Sequence, residues 1–270
     1  MIQVIPKPTD TPDDDSTRMV TDALDALGAD WTRLDLDQVD PFASPLKGAV
    51  IWACGLRQDG HQFETLQALA TRNRVVNPPH AIATCASKVA TTALLIRAGL
   101  PSPATGFLRT RDQAGAFIGA HGGRAVFKPV YGFDGNGIRL VESPDDLGDP
   151  PYYLQEYLPS GEDYRVFVIG GEAVGAIRRR SPHLTHNIHQ GGSGEAVRVT
   201  PEMSALAVTA ARAVGADYAG VDLLPIQGGF TVLEVNGTPN WHCMTAPIPR
   251  LIAEYLVRCE EEAAGSTPRR

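Results

Sequence analysis

The residues best suited to chemistry cluster toward the carboxyl end of the chain. Asp222 lies in the apolar run Gly220-Val221-Asp222-Leu223-Leu224, and Glu234 and Asn236 stand two apart in Leu233-Glu234-Val235-Asn236. A strand's period of two puts Glu234 and Asn236 on one face. Gln227-Gly228-Gly229 between the runs is a hairpin signal, and pairing across it brings Asp222 to roughly the level of Glu234. Two carboxylates and an amide are hard oxygen ligands, suited to Mg²⁺ or Mn²⁺ already chelated by phosphates.

Lys128 ends the run Ala125-Val126-Phe127-Lys128-Pro129, just ahead of Tyr131-Gly132-Phe133-Asp134-Gly135-Asn136-Gly137. An ammonium there reaches phosphate oxygens while backbone N–H groups of the glycine turn close over them. Neither Gly-x-x-x-x-Gly-Lys-Ser/Thr nor a strand followed by Gly-x-Gly-x-x-Gly is present. Arg178-Arg179-Arg180 follows an apolar strand and supplies a local positive field. His183, His186 and His189 recur every three residues, but Pro182 and Gly191-Gly192 oppose a helix and no acidic partner lies in the loop, so zinc is not expected.

These residues need a scaffold, and 270 residues with 43% hydrophobic content can bury one. A net charge of −7 argues against nucleic acid, since no basic excess exists to displace phosphate counterions. The four cysteines are scattered, without a Cys-x-x-Cys pair, which suits reduced thiols and a cytoplasmic location. No apolar run approaches the roughly 18 residues of a membrane span.

Strands at Ile2 to Ile5, Trp31 to Leu36 and Gly48 to Ala53, with helices near Ser16 to Leu27 and Gly60 to Ala70, read as a small open α/β unit. Asn77-Pro78-Pro79 marks its boundary. One connecting helix is expected over Ala81 to Ala98, closed by Gly99-Leu100-Pro101. A helix near Arg111 to Ala120 and strands at Arg124 to Val130 and Ile138 to Val141 follow. Beyond Pro151 the pattern is mostly β: Tyr152 to Leu158, Tyr164 to Ile169, Ala173 to Arg178, Ala219 to Pro225 and Phe230 to Val235, with helices at Pro201 to Val214 and Ile248 to Glu262. The expected division is residues 1–80 as a first α/β lobe, 81–103 as a connecting helix, 104–158 as a central lid lobe, 159–262 as a C-terminal lobe with antiparallel sheet, and 263–270 as a tail.

In order along the chain, these pieces resemble the ATP-grasp superfamily, and within it the RimK-like α-L-glutamate ligases. Ser87-Lys88-Val89-Ala90-Thr91-Thr92 resembles the lysine-led helix before the lid, and Phe127-Lys128-Pro129 with the glycine turn resembles the phosphate-facing lysine and loop. Tyr153-Leu154-Gln155-Glu156-Tyr157-Leu158 resembles the adenine-receiving strand, and Asp163-Tyr164-Arg165 the Asp-x-Arg element. Ala176 to Arg180, Asn187-Ile188-His189-Gln190-Gly191-Gly192 and the closing hairpin are similar to its basic strand, loop and metal site. Ser87, Phe133 and Gln190 depart from the commoner aspartate, serine and arginine, and Asn240-Trp241-His242-Cys243 replaces a glycine-rich continuation.

The resemblance implies an ATP-grasp α/β fold and a carboxylate–amine ligase working through an acyl phosphate. ATP and two Mg²⁺ (or Mn²⁺) ions are the implied cofactors. Their nucleotide contacts would come from Lys88, Lys128, Gly135, Gly137, Gln155, Glu156, Tyr157, Leu158, Asp163 and Asn187, and their metal ligands would be Asp222, Glu234 and Asn236. Lys128, Arg165 and Arg180 would stabilise the transferring group, with Arg178, Arg179, Trp241 and His242 near the substrate. Expected partners are L-glutamate and a small-molecule carboxylate acceptor of pterin or furan type, or a protein C-terminus. A ligase for another amino acid or peptide, and a non-catalytic ATP-binding module, are the alternatives. The number of copies stays open, homo-oligomers included.

Overall fold

The computed structural model describes residues 1–12, 14–57, 60–132, 136–184 and 192–265. The expected roles of Gly135 and Asn187 fall outside them. The described residues build three sheets in succession. In the first, β2 (Trp31–Arg33), β1 (Ile2–Ile5), β3 (Val50–Ala53) and β4 (Arg74–Val76) lie parallel in that order. Helices α1 (Ser16–Ala26) and α2 (His61–Ala70) flank it. Every residue of β1 and β3 is buried, as befits parallel strands covered on both faces.

One expected helix is two. The segment after Asn77 forms α3 (Pro79–Ala86) and α4 (Lys88–Arg97), broken at Ser87, whose backbone is extended. Pro79 starts α3, where its missing N–H costs no hydrogen bond. The Ser87 hydroxyl then accepts from Ala90 N at 3.3 Å and caps α4. The break places Lys88 at a helix start, facing the glycine turn.

The second sheet has the antiparallel order β5 (Thr105–Leu108), β8 (Tyr152–Glu156), β6 (Ala125–Lys128), β7 (Arg139–Val141), backed by α5 (Arg111–Ala120). The third, also antiparallel, runs β11 (Ser193–Val197), β10 (Glu172–Arg180), β9 (Glu162–Ile169), β12 (Tyr218–Ile226), β13 (Gly229–Asn236). Helix α6 (Pro201–Val214) is capped by Thr200, begins at Pro201 and stops at Gly215 with φ 74°. Its Ala207, Ala210 and Ala211 cover one face of this third sheet at Val166, Val168, Val221 and Val235. The opposite face turns Phe167 and Tyr218 into a core shared with the first sheet and with α7 (Ile248–Gly265). Among the described residues, no helix is long and apolar enough to cross a membrane.

Candidate active site

On that opposite face, one level of the third sheet reads Ile177, Arg165, Asp222, Glu234 across four neighbouring strands. Asp222 and Glu234 are direct cross-strand partners, and Asn236 faces Gly220 one step away. A bulge between Asp222 and Leu223 changes the pairing just beyond the site. The Asn236 amide donates to Gly220 O at 3.2 Å and lies 3.4 Å from Asp222 Oδ2. All three proposed metal ligands therefore stand on one face of one hairpin.

Asp222 is buried within an ionic network. Arg165 grips it through Nε to Oδ1 at 2.8 Å and Nη2 to Oδ2 at 2.9 Å. Arg179 Nη2 reaches Asp222 Oδ2 at 2.9 Å, while Arg179 also donates to Asp163 at 2.6 and 2.9 Å. Burial alone would raise the Asp222 carboxyl, but the Arg165 and Arg179 charges outweigh it and hold it well below the usual carboxylate range. Gly220 makes the arrangement possible: a Cβ there would lie 2.8 Å from Pro239 Cβ and 3.2 Å from Arg165 Cδ.

The second sheet supplies the other wall. Lys128 Nζ donates to Gln155 Oε1 at 2.6 Å, and Gln155 in turn donates to Thr105 Oγ1 at 3.2 Å. Burial pushes the Lys128 ammonium below the usual lysine range, with the charge of Glu234 opposing that shift. Lys88 Nζ reaches Gly132 O at 3.2 Å, and its backbone N–H bonds Val130 O at 3.1 Å, tying α4 to the turn after β6. The Tyr153 hydroxyl meets Thr92 Oγ1 at 2.7 Å across the same gap.

Together these walls enclose a cavity of about 990 Å³. Lys88, Lys128, Gln155, Glu156, Tyr157, Leu158, Asp163, Arg165, Arg179, Asp222, Glu234 and Asn236 all line it. Gly137 adopts φ 76° beside Pro129, and its neighbours Asn136 and Ile138 reach the cavity.

Three arginines in a row do not share this fate. Strand alternation sends Arg179 to the cavity and Arg178 and Arg180 to the other face, where Arg178 pairs with Glu195 at 2.6 Å and Arg180 with Glu162 at 2.9 Å. The reading that put Arg180 at the reacting group is corrected by this register, since Arg179 is the residue opposite Asp163. Trp241 and His242 also stand away from the cavity lining. Trp241 packs edge-on to Phe167 with ring centroids 6.4 Å apart, and His242 Nε2 lies 3.1 Å from Asp14 Oδ2. Asp163 reaches the cavity, but both of its carboxylate oxygens take bonds from Arg179.

Asn77 is a residue the sequence signalled only as a boundary. Its fully buried side chain donates to Tyr218 O at 2.7 Å and Gly237 O at 2.6 Å, and accepts from Asp217 N at 2.6 Å and Tyr218 N at 3.0 Å. It thus clamps both ends of the hairpin that carries Asp222 and Asn236.

The donor chemistry fits a small divalent cation. Among the described residues no cluster of three or more His, Cys, Asp or Glu is found, so the site rests on two carboxylates and the Asn236 amide. Asp222 Oδ1 accepts from Arg165 Nε, and a carboxylate oxygen has a second lone pair. Oxygen ligands of this kind suit Mg²⁺ or Mn²⁺ better than zinc.

A first α/β lobe, a β-rich lobe with a buried lysine and a third sheet with a carboxylate hairpin, all facing one cleft, define the ATP-grasp class. The fold comparison agrees: the ATP-grasp ligase PsnB, solved with a phosphomimetic variant of its minimal precursor, Mg and ADP, superposes with a TM-score of 0.76 at 22% identity, covering 96% of this chain and 98% of that one. The description "RimK-like ATP-grasp domain" matches residues 85–258. The chain belongs to the RimK-like ATP-grasp family. A probable alpha-L-glutamate ligase of Parasynechococcus marenigrum (strain WH8102) is 36% identical over 205 residues, 71% of this chain and 44% of that protein. The tetrahydromethanopterin:alpha-L-glutamate ligase of Methanocaldococcus jannaschii is 32% identical over 197 residues, 67% of each chain. This chain therefore spans less than half of the first relative and about two thirds of the second.

Proposed function

We propose that this protein couples ATP cleavage to amide formation, joining the amino group of L-glutamate to a carboxylate acceptor through an acyl phosphate. The observation that carries the reading is the convergence of Asp222, Glu234 and Asn236 on one face, across a cavity from Lys88 and Lys128. Mg²⁺ held by those three oxygen-bearing side chains would neutralise phosphate charge and orient the γ-phosphoryl group.

The chain's own groups account for the rest. Lys88, held at Gly132 O, and Lys128, held at Gln155, bind phosphate oxygens, and the phosphates offset the burial that depresses Lys128. Arg165 both bonds Asp222 and lines the cavity, so it stabilises charge on the transferring phosphoryl group. Arg179 holds Asp163 and Asp222 in place from below. Gln155 orients Lys128, while Glu156, Tyr157 and Leu158 supply the base-facing edge. Enclosure by the second sheet excludes water, to which an acyl phosphate would otherwise be lost.

The relatives support glutamate as the amine donor, and the tetrahydromethanopterin-specific one supports a pterin-type cofactor as acceptor. Incubating the protein with ATP, Mg²⁺, labelled glutamate and a small-molecule extract should yield a labelled adduct and ADP, followed by mass spectrometry. Glu234→Ala should abolish both. ADP and adduct formation at the wild-type rate in that variant would sink the assignment.

A further inference from the structure

The two carboxylates proposed as metal ligands sit in a site whose charge the chain already balances. Asp222 Oδ2 takes three donors, Arg165 Nη2 at 2.9 Å, Arg179 Nη2 at 2.9 Å and Asn236 Nδ2 at 3.4 Å, and Oδ1 takes Arg165 Nε at 2.8 Å. Arg179 also binds both oxygens of Asp163, at 2.6 and 2.9 Å. Lys128, Asp163, Arg179 and Asp222 are all buried, where charges are little screened by salt. Burial depresses Lys128, and the charges of Glu234, Asp222 and Asp163 oppose that depression, so its ammonium stands within electrostatic range of all three acids. Three cations, Lys128, Arg165 and Arg179, therefore face three carboxylates, Asp163, Asp222 and Glu234.

A balanced site is a poor host for a bare dication. Mg²⁺ sheds water reluctantly, and affinity for a free divalent ion rises with the number of charged ligands left to meet it. Among the described residues no cluster of three or more His, Cys, Asp or Glu is found. Asn236 offers an oxygen but no charge, and its nitrogen already donates to Gly220 O at 3.2 Å. A triphosphate changes the balance, because it brings several negative charges into the cavity that Lys88 and Lys128 line. In that state the phosphates, not the protein, supply the missing charge.

We infer that Arg179, together with Arg165, is a built-in counter-charge that closes the Asp222–Glu234 site to free divalent cations and makes metal binding depend on the nucleotide. The inference rests on the metal site of the ligase reading. It gives a functional reason for burying a guanidinium between two aspartates, where apolar packing of equal volume would serve stability as well. Coupling is reciprocal, so the metal must raise nucleotide affinity by the same factor.

Mn²⁺ titration followed by water-proton relaxation tests this without substrate or acceptor. The enhancement rises when Mn²⁺ is held on a slowly tumbling protein and stays low for Mn²⁺ on AMP-PNP in solution. Wild type should bind Mn²⁺ at least about tenfold more weakly without AMP-PNP than with it, since one unit charge roughly 5 Å from a dication is worth that much even at the dielectric of water. Arg179→Met should gain at least about tenfold in nucleotide-free Mn²⁺ affinity. Arg179→Lys, which keeps the charge, should gain less. Adding Glu234→Ala to Arg179→Met should abolish the gained site, which locates it on the hairpin. Titration in the cold, with folding checked by circular dichroism, allows for the buried position of Arg179. If Arg179→Met does not fold, Arg165→Gln removes the other guanidinium from Asp222 and carries the same expectation. Wild-type Mn²⁺ binding that is as tight without AMP-PNP as with it overturns the counter-charge role and leaves the ligase reading standing. No gain in a folded variant, or an equal gain in Arg179→Lys, does the same. No enhancement in wild type even with AMP-PNP overturns the metal site itself, and the role of Arg179 with it.

Discussion

Arg179 and Arg180 are adjacent in the chain, and replacing each should have very unequal consequences. Arg179 is 3% exposed and donates two bonds to Asp163 and one to Asp222. Methionine keeps much of the stem's volume and removes the guanidinium, and breaking a buried ion pair from one side costs about 3–5 kcal/mol. Stabilities on the order of 5–15 kcal/mol leave little reserve after such a loss. At roughly 2–4 °C per kcal/mol, Tm should fall by about 6–20 °C. The Arg180 side chain is 53% exposed and pairs with Glu162, an interaction class worth about 0–1 kcal/mol, so Arg180→Ala should move Tm by no more than roughly 4 °C.

The same pair of variants should differ in acid. Asp222 is held below the usual range in the folded protein, so its contribution to stability is present above the ordinary carboxylate pKa near ~4 and is lost as pH falls through the folded value. Removing Arg179 weakens that depression, so the contribution should be smaller and its loss complete at a higher pH than in wild type. Urea midpoints followed by circular dichroism between pH 7 and pH 3 would show it. Equal destabilisation by the two substitutions, or an Arg179→Met protein as stable as wild type, would refute the assignment of strand faces.

Two further outcomes follow from close contacts. Asn77→Ala deletes four hydrogen bonds to buried backbone, so a loss on the order of 3 kcal/mol or more is expected in urea unfolding, together with weaker Mn²⁺ binding in the presence of AMP-PNP. Wild-type Mn²⁺ affinity in that variant would show that the clamp does not position the hairpin. Gly220→Ala places a methyl 2.8 Å from a proline ring carbon and against the Arg165 stem, and should cost about 1–3 kcal/mol in the same assay.

The carboxylate hairpin was legible because each of its signals is local: acids in apolar runs, a spacing of two, and a glycine pair at the turn. Helix α6 was legible through Thr200-Pro201 and Gly215. Strands β5 and β11 were not, since neither buries an apolar face completely and both are edge strands defined by the partner they pair with. The break at Ser87 was hidden in an uninterrupted Ala- and Thr-rich run, and the extended Ser87 backbone with its capping bond to Ala90 reveals it. Parity within Arg178-Arg179-Arg180 could not be read from the strand alone, because the neighbour β9 decides which side chain meets Asp163. Trp241 looked available for a ligand, but a large apolar ring beside Phe167 is better used in packing.

The distribution of the cores bears on how such a site would open. Buried side chains of the first sheet, α7 and the third sheet form one cluster, so the first lobe and the wall carrying Asp222 are fused by apolar packing. The second sheet has a smaller core of its own, built from Ala114, Ile118, Ala125, Val141, Leu147, Tyr152 and Leu154. Among the described residues, hydrogen bonds join it to the rest at the cavity, from Lys88 to the Gly132 and Val130 carbonyls and between Thr92 and Tyr153. Such bonds exchange with water at a net of about 1 kcal/mol each, far less than parting an apolar core. Separation of the second sheet should therefore be a low-energy opening compared with global unfolding. Nucleotide bound by Lys128 on one side and by the Asp222–Glu234 hairpin on the other would strengthen a seam that the protein alone holds weakly, which couples closure to occupancy.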